Sequence, residues 1–199
     1  MPQPQSRIPF FDASYDGTPP WDIRRPQPAM VALSESGALR GRVLDVGCGT
    51  GEHVLMAAVL GLEATGVDAA PKAIAMAKRK VEERGVEARF LVWDALDLPA
   101  LGEQFDVVLD SGLFHVFDDE ERARFVDSLR AVSPVGGSYF MLCFSDRQPG
   151  EWGPRRVTEA EIRSSFADGW HVDSVQESRF DVTFSPEGVA AWLASITRT

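Results

Sequence analysis

Cysteine and histidine are scarce in this sequence, and their scarcity argues against a disulfide-stabilised protein and against a metal-binding one. The chain of 199 residues contains two cysteines, Cys48 and Cys143, and three histidines. Cys48 lies in a glycine-rich stretch and Cys143 in an apolar run, so both are predicted to be reduced, buried thiols. This usage indicates a cytoplasmic protein rather than a disulfide-stabilised secreted one. No spacing of His, Cys and Asp resembles a metal site, so no metal is expected.

Positive charge and long apolar runs are also in short supply. Lys and Arg number 20 against 30 Asp and Glu, which gives a formal net charge of -10. Nucleic acid needs a basic face, and an anionic membrane surface would repel this chain. No apolar run approaches the ~20 residues that cross a bilayer, and residues 1–11 lack the apolar core of a secretion signal. We therefore expect neither nucleic acid nor a membrane as partner, and a monomer or homodimer.

The chain is long enough for one domain with a sizeable core, and its most informative stretch is VLDVGCGTG at residues 43–51. The first four residues are apolar apart from Asp45, which is typical of a strand covered on both faces. Three alternating glycines follow: Gly47, Gly49 and Gly51. A side chain there would block a ligand from the backbone or could not adopt positive φ. With a helix predicted at 53–60, the stretch forms a ligand cradle of backbone N–H groups.

Two kinds of ligand fit such a cradle, and Glu52 helps to separate them. The dinucleotide fingerprint G-x-G-x-x-G needs glycine where Glu52 stands, and a carboxylate sits badly beside a pyrophosphate. The pattern from Asp45 to Gly51 instead resembles motif I of class I S-adenosylmethionine (SAM)-dependent methyltransferases. This resemblance implies SAM as cofactor and a doubly wound, Rossmann-like seven-stranded sheet whose last strand is antiparallel. Two alternatives stay open: a SAM-binding module without catalysis, and a nucleotide-dependent oxidoreductase.

Strands and helices alternate along the next part of the chain, which predicts a parallel, doubly wound α/β sheet. Further strands are predicted at 64–67, 89–93, 105–109 and 138–144. Pro71 and Gly85 fit the first position and the end of a helix. Capping-box pairs mark two more helix starts: Asp118 with Glu121, and Thr158 with Glu161. Strands at 170–184 and 191–197 would form the antiparallel hairpin that the methyltransferase fold has at its end.

Aspartates stand at the ends of four predicted strands: Asp45, Asp68, Asp94 and Asp110. Ligands bind outside the carboxyl ends of the strands in such sheets. The resemblance implies that Asp68 accepts both ribose hydroxyls of SAM, that Asp94 takes the adenine amine and that Asp45 lies near the methionine amino group. It places Asp110 and Ser111 beside the reacting methyl group. The neighbours of these residues are candidate cofactor contacts as well: Cys48, Ala69 and Ala95.

Residues 1–28 are predicted to form a lid segment in front of a methyltransferase domain at 29–199. Seven prolines exclude a long helix there, and its aromatic residues indicate packing on the domain from Tyr15 onward. A Pro-Trp-Asp stretch around Trp21 resembles the small-molecule thiol/halide, thiopurine and heterocyclic-toxin methyltransferases. That resemblance implies that Trp21 contacts the sulfonium side of SAM, although plain core packing also explains it. Arg25 would pair with the methionine carboxylate; it is preferred to Arg24, where several such enzymes have glycine.

His115 is the one histidine predicted near the reacting methyl group. A neutral imidazole with a pKa near 6.5 can take a proton from an attacking O, N or S atom. His115 is therefore a candidate general base, with Asp110 as its catalytic neighbour; a packing histidine is the alternative. Residues 145–156 are predicted to cover the acceptor pocket. The sequence as a whole favours in-line transfer of the SAM methyl group to a heteroatom of a small molecule.

Overall fold

The computed structural model describes residues 7–199, and within them one seven-stranded sheet forms the centre of the molecule. The strands are β1 (Arg42–Val46), β2 (Glu63–Asp68), β3 (Arg89–Val92), β4 (Val107–Ser111), β5 (Ser138–Phe144), β6 (Trp170–Val182) and β7 (Ser185–Arg198). Their order across the sheet is β3-β2-β1-β4-β5-β7-β6. The first five pair in parallel, and β7 runs antiparallel between β5 and β6. The strand order reverses direction between β1 and β4, which is where such sheets bind ligands.

Helices cover both faces of this sheet, and their ends follow the local sequence signals. They are α1 (Arg7–Ser14), α2 (Pro28–Glu35), α3 (Glu52–Val59), α4 (Pro71–Arg84), α5 (Asp119–Val132) and α6 (Glu159–Ser165). Pro71 occupies the first turn of α4, and Gly85 ends it at φ 63°. Both predicted capping boxes are present, at the starts of α5 and α6. No helix among these residues is long and apolar enough to cross a membrane.

Two apolar clusters, one on each face of the sheet, form the core. Neighbouring residues of β1 alternate between them: Val43 belongs to one cluster, and Leu44 and Val46 belong to the other. The cluster around α5 contains large rings such as Phe125 and Tyr139, both with 0% of their surface exposed. Because both faces are covered, the central strands are apolar on both sides, which is why they appear as continuous apolar runs.

The predicted strand boundaries needed correction, chiefly in β4 and β7. β4 extends through Ser111 instead of ending at 109, so Asp110 lies inside the strand. β7 is longer than the predicted 191–197. Residues 191–197 pair with β5, whereas the added residues at both ends of β7 pair with β6 alone, which extends the hairpin.

The predicted irregular N-terminal segment also needed correction, since it contains the short helix α1. Pro9 is tolerated there because it lies in the first turn, where backbone N–H groups have no helical partner. The start of the predicted lid, residues 1–6, lies outside the described residues.

Candidate active site

A cavity of about 840 Å³ opens at the carboxyl ends of the parallel strands. Its walls come from the glycine turn after β1 and from the segments that follow β2, β3, β4 and β5. The N-terminal segment and residues 152–155 of the loop after β5 complete the lining. One continuous cavity therefore joins the predicted cofactor residues to the predicted acceptor pocket.

The glycine turn holds three residues in the left-handed region, with φ 67° at Gly47, 51° at Gly49 and 85° at Gly51. A β carbon at Gly51 would lie 2.5 Å from the ring of Phe90, and one at Gly49 would lie 3.0 Å from the Tyr15 hydroxyl oxygen. Gly51 is therefore required by backbone conformation and by the close approach of α3 to β3. Gly47, Cys48, Gly49 and Gly51 all line the cavity, as predicted.

Asp68, at the end of β2, stabilises the glycine turn through its carboxylate. Its Oδ2 accepts the Gly49 N–H at 2.8 Å and its Oδ1 accepts the Ala70 N–H at 2.8 Å. Burial raises the pKa of Asp68 to about 6, and the neighbouring carboxylates of Asp45 and Asp12 contribute to the rise. Each carboxylate oxygen keeps a second lone pair, so the side chain can accept further hydrogen bonds from a ligand in the cavity that it lines.

The third predicted acid, Asp94, begins the turn after β3. Its carboxylate accepts the Leu96 N–H at 2.9 Å, which caps the short 3₁₀ helix at Ala95–Leu101. Asp94, Ala95 and Ala69 also line the cavity. The candidate cofactor-binding residues at the ends of β2 and β3 therefore all lie on the wall of the cavity.

Asp45 is placed differently, because its carboxylate lies beneath the wall rather than on it. The residue is 1% exposed, and neither of its carboxylate oxygens has a hydrogen-bond partner among the described residues. The cavity-lining His53 places its Nδ1 3.5 Å from Asp45 Oδ2, while its Nε2 accepts the Gln27 N–H at 3.1 Å. Nothing in the sequence distinguished His53, the second residue of α3, as a residue of this site.

The predicted placement of Asp110 beside the methyl group is corrected by the structure. This carboxylate is fully buried and accepts the Leu113 N–H at 2.8 Å, the Phe114 N–H at 3.1 Å and the Tyr139 hydroxyl at 2.7 Å. Burial raises the pKa of Asp110 to about 7. Its side chain therefore stabilises the turn after β4, and of the predicted pair it is Ser111 that lines the cavity.

His115 does lie on the cavity wall, but its environment does not suit a general base. Its Nδ1 accepts the Phe144 N–H at 3.0 Å. Burial lowers the pKa of His115 to about 3, with the positive charges of Arg122 and Arg156 lowering it further. The expectation of a pKa near 6.5 is therefore wrong, because the ring is buried against cations rather than exposed beside a carboxylate.

The N-terminal segment crosses the cavity between the glycine turn and the far end of β6. Asp22 accepts the Thr50 hydroxyl at 3.2 Å on the first side, and Pro20 accepts the Thr183 N–H at 2.9 Å on the second. The Gln27 side chain bonds both backbone groups of Asp181, at 2.8 and 3.0 Å. These contacts hold the segment in place over the opening.

Two predicted residues of this segment line the cavity, and each has a protein partner. Trp21 Nε1 donates to the Tyr15 hydroxyl at 3.1 Å, and Arg25 pairs with Asp181 at 2.6 Å. If Arg25 binds a cofactor carboxylate, its guanidinium group has to contact both that carboxylate and Asp181. Arg24 has φ 57°, a conformation that glycine adopts at lower cost.

The opposite end of the cavity is aromatic. Phe144 lies 5.0 Å from the ring of His115, 5.6 Å from that of Phe180 and 6.2 Å from that of Trp152. Phe184 contacts Trp152 at 5.3 Å, and these two are 57% and 44% exposed at the opening. The rings form a wall that runs from His115 to the surface, suited to a flat apolar ligand.

Glu52 is committed to an ionic cluster. Its carboxylate bonds Lys80 at 2.8 Å and Arg84 at 2.8 and 2.9 Å. Although burial raises the pKa of Glu52, these two cations lower it below its ordinary value overall. A side chain committed to α4 therefore stands where the dinucleotide fingerprint needs glycine, so the structure weighs against the oxidoreductase alternative.

This strand order, with a glycine turn after β1 and a carboxylate at the end of β2, is that of the class I SAM-dependent methyltransferases. Residues 43–137 match the family described as "Methyltransferase domain". The 2-heptyl-1-hydroxyquinolin-4(1H)-one methyltransferase of Mycobacteroides abscessus is 36% identical over 85% of this chain and 80% of its own length. The chain belongs to this methyltransferase family, and it is a SAM-dependent enzyme.

Solved structures agree with this assignment. One, from work on the conversion of a disulfide bond into a thioacetal group during echinomycin biosynthesis, is 38% identical and has a TM-score of 0.88. The match covers 96% of this chain and 92% of that one. Magnesium protoporphyrin IX methyltransferase of Synechocystis with bound SAM shares the fold at 21% identity and a TM-score of 0.66, over 98% and 83% of the two chains.

Proposed function

We propose that this enzyme transfers the methyl group of SAM to an oxygen atom on a flat aromatic small molecule, with N-hydroxyquinolones as the model acceptor class. The observation that carries the proposal is the aromatic wall from His115 to Phe184, which ends at the opening of the cavity. The 36% identical relative, named for a hydroxyquinolone substrate, supports the same class. We further infer a cytoplasmic enzyme, monomeric or homodimeric, that acts without nucleic acid.

Bound SAM would supply an electrophilic methyl group on a positively charged sulfur. Asp68 would accept the ribose hydroxyls with its free lone pairs, and Asp94 would take the adenine amine. The buried carboxylate of Asp45 makes no hydrogen bond among the described residues and lies 3.5 Å from His53 Nδ1. Because an unpaired buried charge is costly, we assign to Asp45 a contact with the ammonium group of the cofactor. The chain's own contribution is to hold the two reactants in line and exclude water.

The N-terminal residues 1–28 are proposed as the lid of this site. Trp21 and Arg25 on its inner side line the cavity, and both would contact the cofactor when it is bound. The hydrogen bonds to Thr50 and Asp181 join the lid to both ends of the opening. Closure by this segment would bury the reacting atoms and strengthen the electrostatic interactions around them.

The test is an acceptor screen with purified enzyme and SAM, in which formation of the demethylated cofactor and the methylated product are both measured. The panel contains 1-hydroxyquinolin-4-ones, phenols, aromatic thiols and a cyclic disulfide peptide. We expect O-methylated N-hydroxyquinolones as the preferred products. Turnover of sulfur compounds alone would overturn the choice of oxygen, and SAM binding without any turnover would favour a non-catalytic module.

The aromatic wall provides a variant that separates acceptor binding from cofactor binding. Trp152→Ala should raise the KM for an aromatic acceptor about tenfold, since a partly exposed ring contact is lost. The dissociation constant of SAM should stay the same. Val135→Ala, at a 78% exposed residue away from the cavity, is the matched control. Equal effects on acceptor and cofactor would contradict the assignment of the aromatic end.

A further inference from the structure

The position of one hydrogen atom on His115 is decided by the backbone of β5. The Phe144 N–H donates to His115 Nδ1 at 3.0 Å, and a backbone amide cannot reverse its role by giving up that hydrogen. Nδ1 is therefore an acceptor, and the single hydrogen of the neutral ring lies on Nε2. The sequence could not show this, because the two residues are 29 positions apart.

The Nε2 atom is the part of this ring that remains for a ligand. Among the described residues no hydrogen bond to Nε2 is found, and it is not one of the fully buried unsatisfied atoms. The ring lines the cavity between Phe144 and Phe180, at 5.0 and 6.2 Å from their rings. His115 thus presents an N–H donor to the acceptor end of the cavity.

The two charges that act directly on His115 are both positive, which favours an anionic ligand at this donor. Arg122 of α5 is 3% exposed and lies 4.5 Å over the ring of Phe114, and Arg156 lies 5.4 Å over the ring of Phe144. Both act on His115, where they and burial keep the imidazole neutral. The other charged groups on elements packed around the ring are Asp110 of β4, Glu121 of α5, Arg155 of the loop after β5, Glu161 of α6 and Asp181 of β6. Of these, Glu161 pairs with Arg122 and Asp181 pairs with Arg25.

We propose that the acceptor attacks as an oxyanion formed in water before it binds, and that His115 Nε2–H donates a hydrogen bond to this anion instead of removing a proton. This inference rests on the proposed function and narrows its substrate class to aromatic compounds with an acidic hydroxyl, such as N-hydroxy heteroarenes. The new oxygen–carbon bond forms as the carbon–sulfur bond breaks, and that electron pair stays on sulfur. The step needs no base, because the proton left the hydroxyl in solution.

The hydrogen position can be measured without any substrate by ¹⁵N NMR of the histidine rings in the full chain. We expect His115 to show protonated Nε2 and unprotonated Nδ1, with no titration between pH 5 and 8. His115→Gln identifies the signals of His115 by their loss from the spectrum. A proton on Nδ1, or titration of His115 within this range, would overturn the proposal whether or not an acceptor has been found.

The second test is the pH dependence of turnover with acceptors whose hydroxyl pKa values differ. We expect the rise of kcat/KM with pH to follow the pKa of each acceptor and to level off above it. With SAM saturating at every pH, a rise that stays at one pH for all acceptors would show a group on the enzyme acting as base, and would overturn the proposal. Failure of every oxygen acceptor would instead count against the proposed function, with the NMR result still standing.

Variants at His115 separate donation from proton removal. His115→Gln places an amide N–H within reach of the Nε2 position and should retain at least a tenth of wild-type kcat. His115→Leu has no donor and should fall to about a hundredth. His171→Gln, on the exposed part of β6, is the matched control and should be unchanged. Equal losses in folded Gln and Leu variants would overturn donation, because a base cannot be replaced by an amide but a donor can.

Discussion

Asp68 provides the sharpest test of the cofactor end, because its two oxygens serve both the fold and the ligand. In Asp68→Asn one acceptor oxygen remains for the Gly49 or Ala70 N–H, so the turn keeps part of its support. The charge offered to the ribose hydroxyls is lost. Hydrogen bonds to charged groups contribute about 1.5–3 kcal/mol, so SAM binding should weaken by about 1–3 kcal/mol. That corresponds to roughly a 5–150-fold rise in the dissociation constant.

The raised pKa of Asp68 should make SAM affinity and the free energy of unfolding change with pH in opposite directions. Burial raises the pKa of Asp68 from 3.8 to about 6, so between these values the folded state holds more of this proton than the unfolded state. The free energy of unfolding should therefore fall as pH rises through this window and level off above it. SAM affinity should rise over the same window, because the carboxylate is the better acceptor. Asp68→Asn should remove the slope in affinity and reduce the slope in the free energy of unfolding, to which the raised pKa of Asp110 also contributes.

Isothermal titration calorimetry with SAM from pH 5 to 8, together with urea unfolding, measures both quantities. The exposed Asp127→Asn on α5 is the control and should bind SAM like the wild type. A folded Asp68→Asn that binds SAM with unchanged affinity would remove Asp68 from the site. A pH slope in affinity that persists in this variant would show that another group titrates.

Further predictions concern the turn and the lid. Gly51→Ala should lower the free energy of unfolding by about 2–5 kcal/mol, the sum of the cost of a left-handed alanine and of its overlap with Phe90. Phe90→Leu in the same chain should restore part of this stability. A loss below about 1 kcal/mol would refute the packing argument. Trypsin should cut after Arg24 more slowly when SAM is present, and equal rates with and without SAM would contradict a cofactor-stabilised lid.

Local chemistry was sufficient wherever an element is marked by its own residues. Gly85 ends α4, and the capping boxes at Asp118 and Thr158 begin α5 and α6, because these signals act over three or four residues. The glycine turn could also be predicted from the sequence, because the positive φ angles at Gly47, Gly49 and Gly51 exclude most other residues. These short-range constraints, with alternating strands and helices, were enough to predict the sheet, and the resemblance of residues 45–51 to motif I indicated the family.

The direction of each site side chain was decided by the tertiary structure. Asp45, Asp68 and Asp110 look alike in sequence, yet Asp68 lines the cavity, Asp45 lies beneath it and Asp110 supports a turn. Side chains alternate between the two faces of a strand, so a shift of one residue in a strand's end moves a carboxylate to the other face. The proton on His115 depends in the same way on a distant amide, that of Phe144. The sequence determined which chemistry is present, and long-range packing decided which groups can reach the substrate.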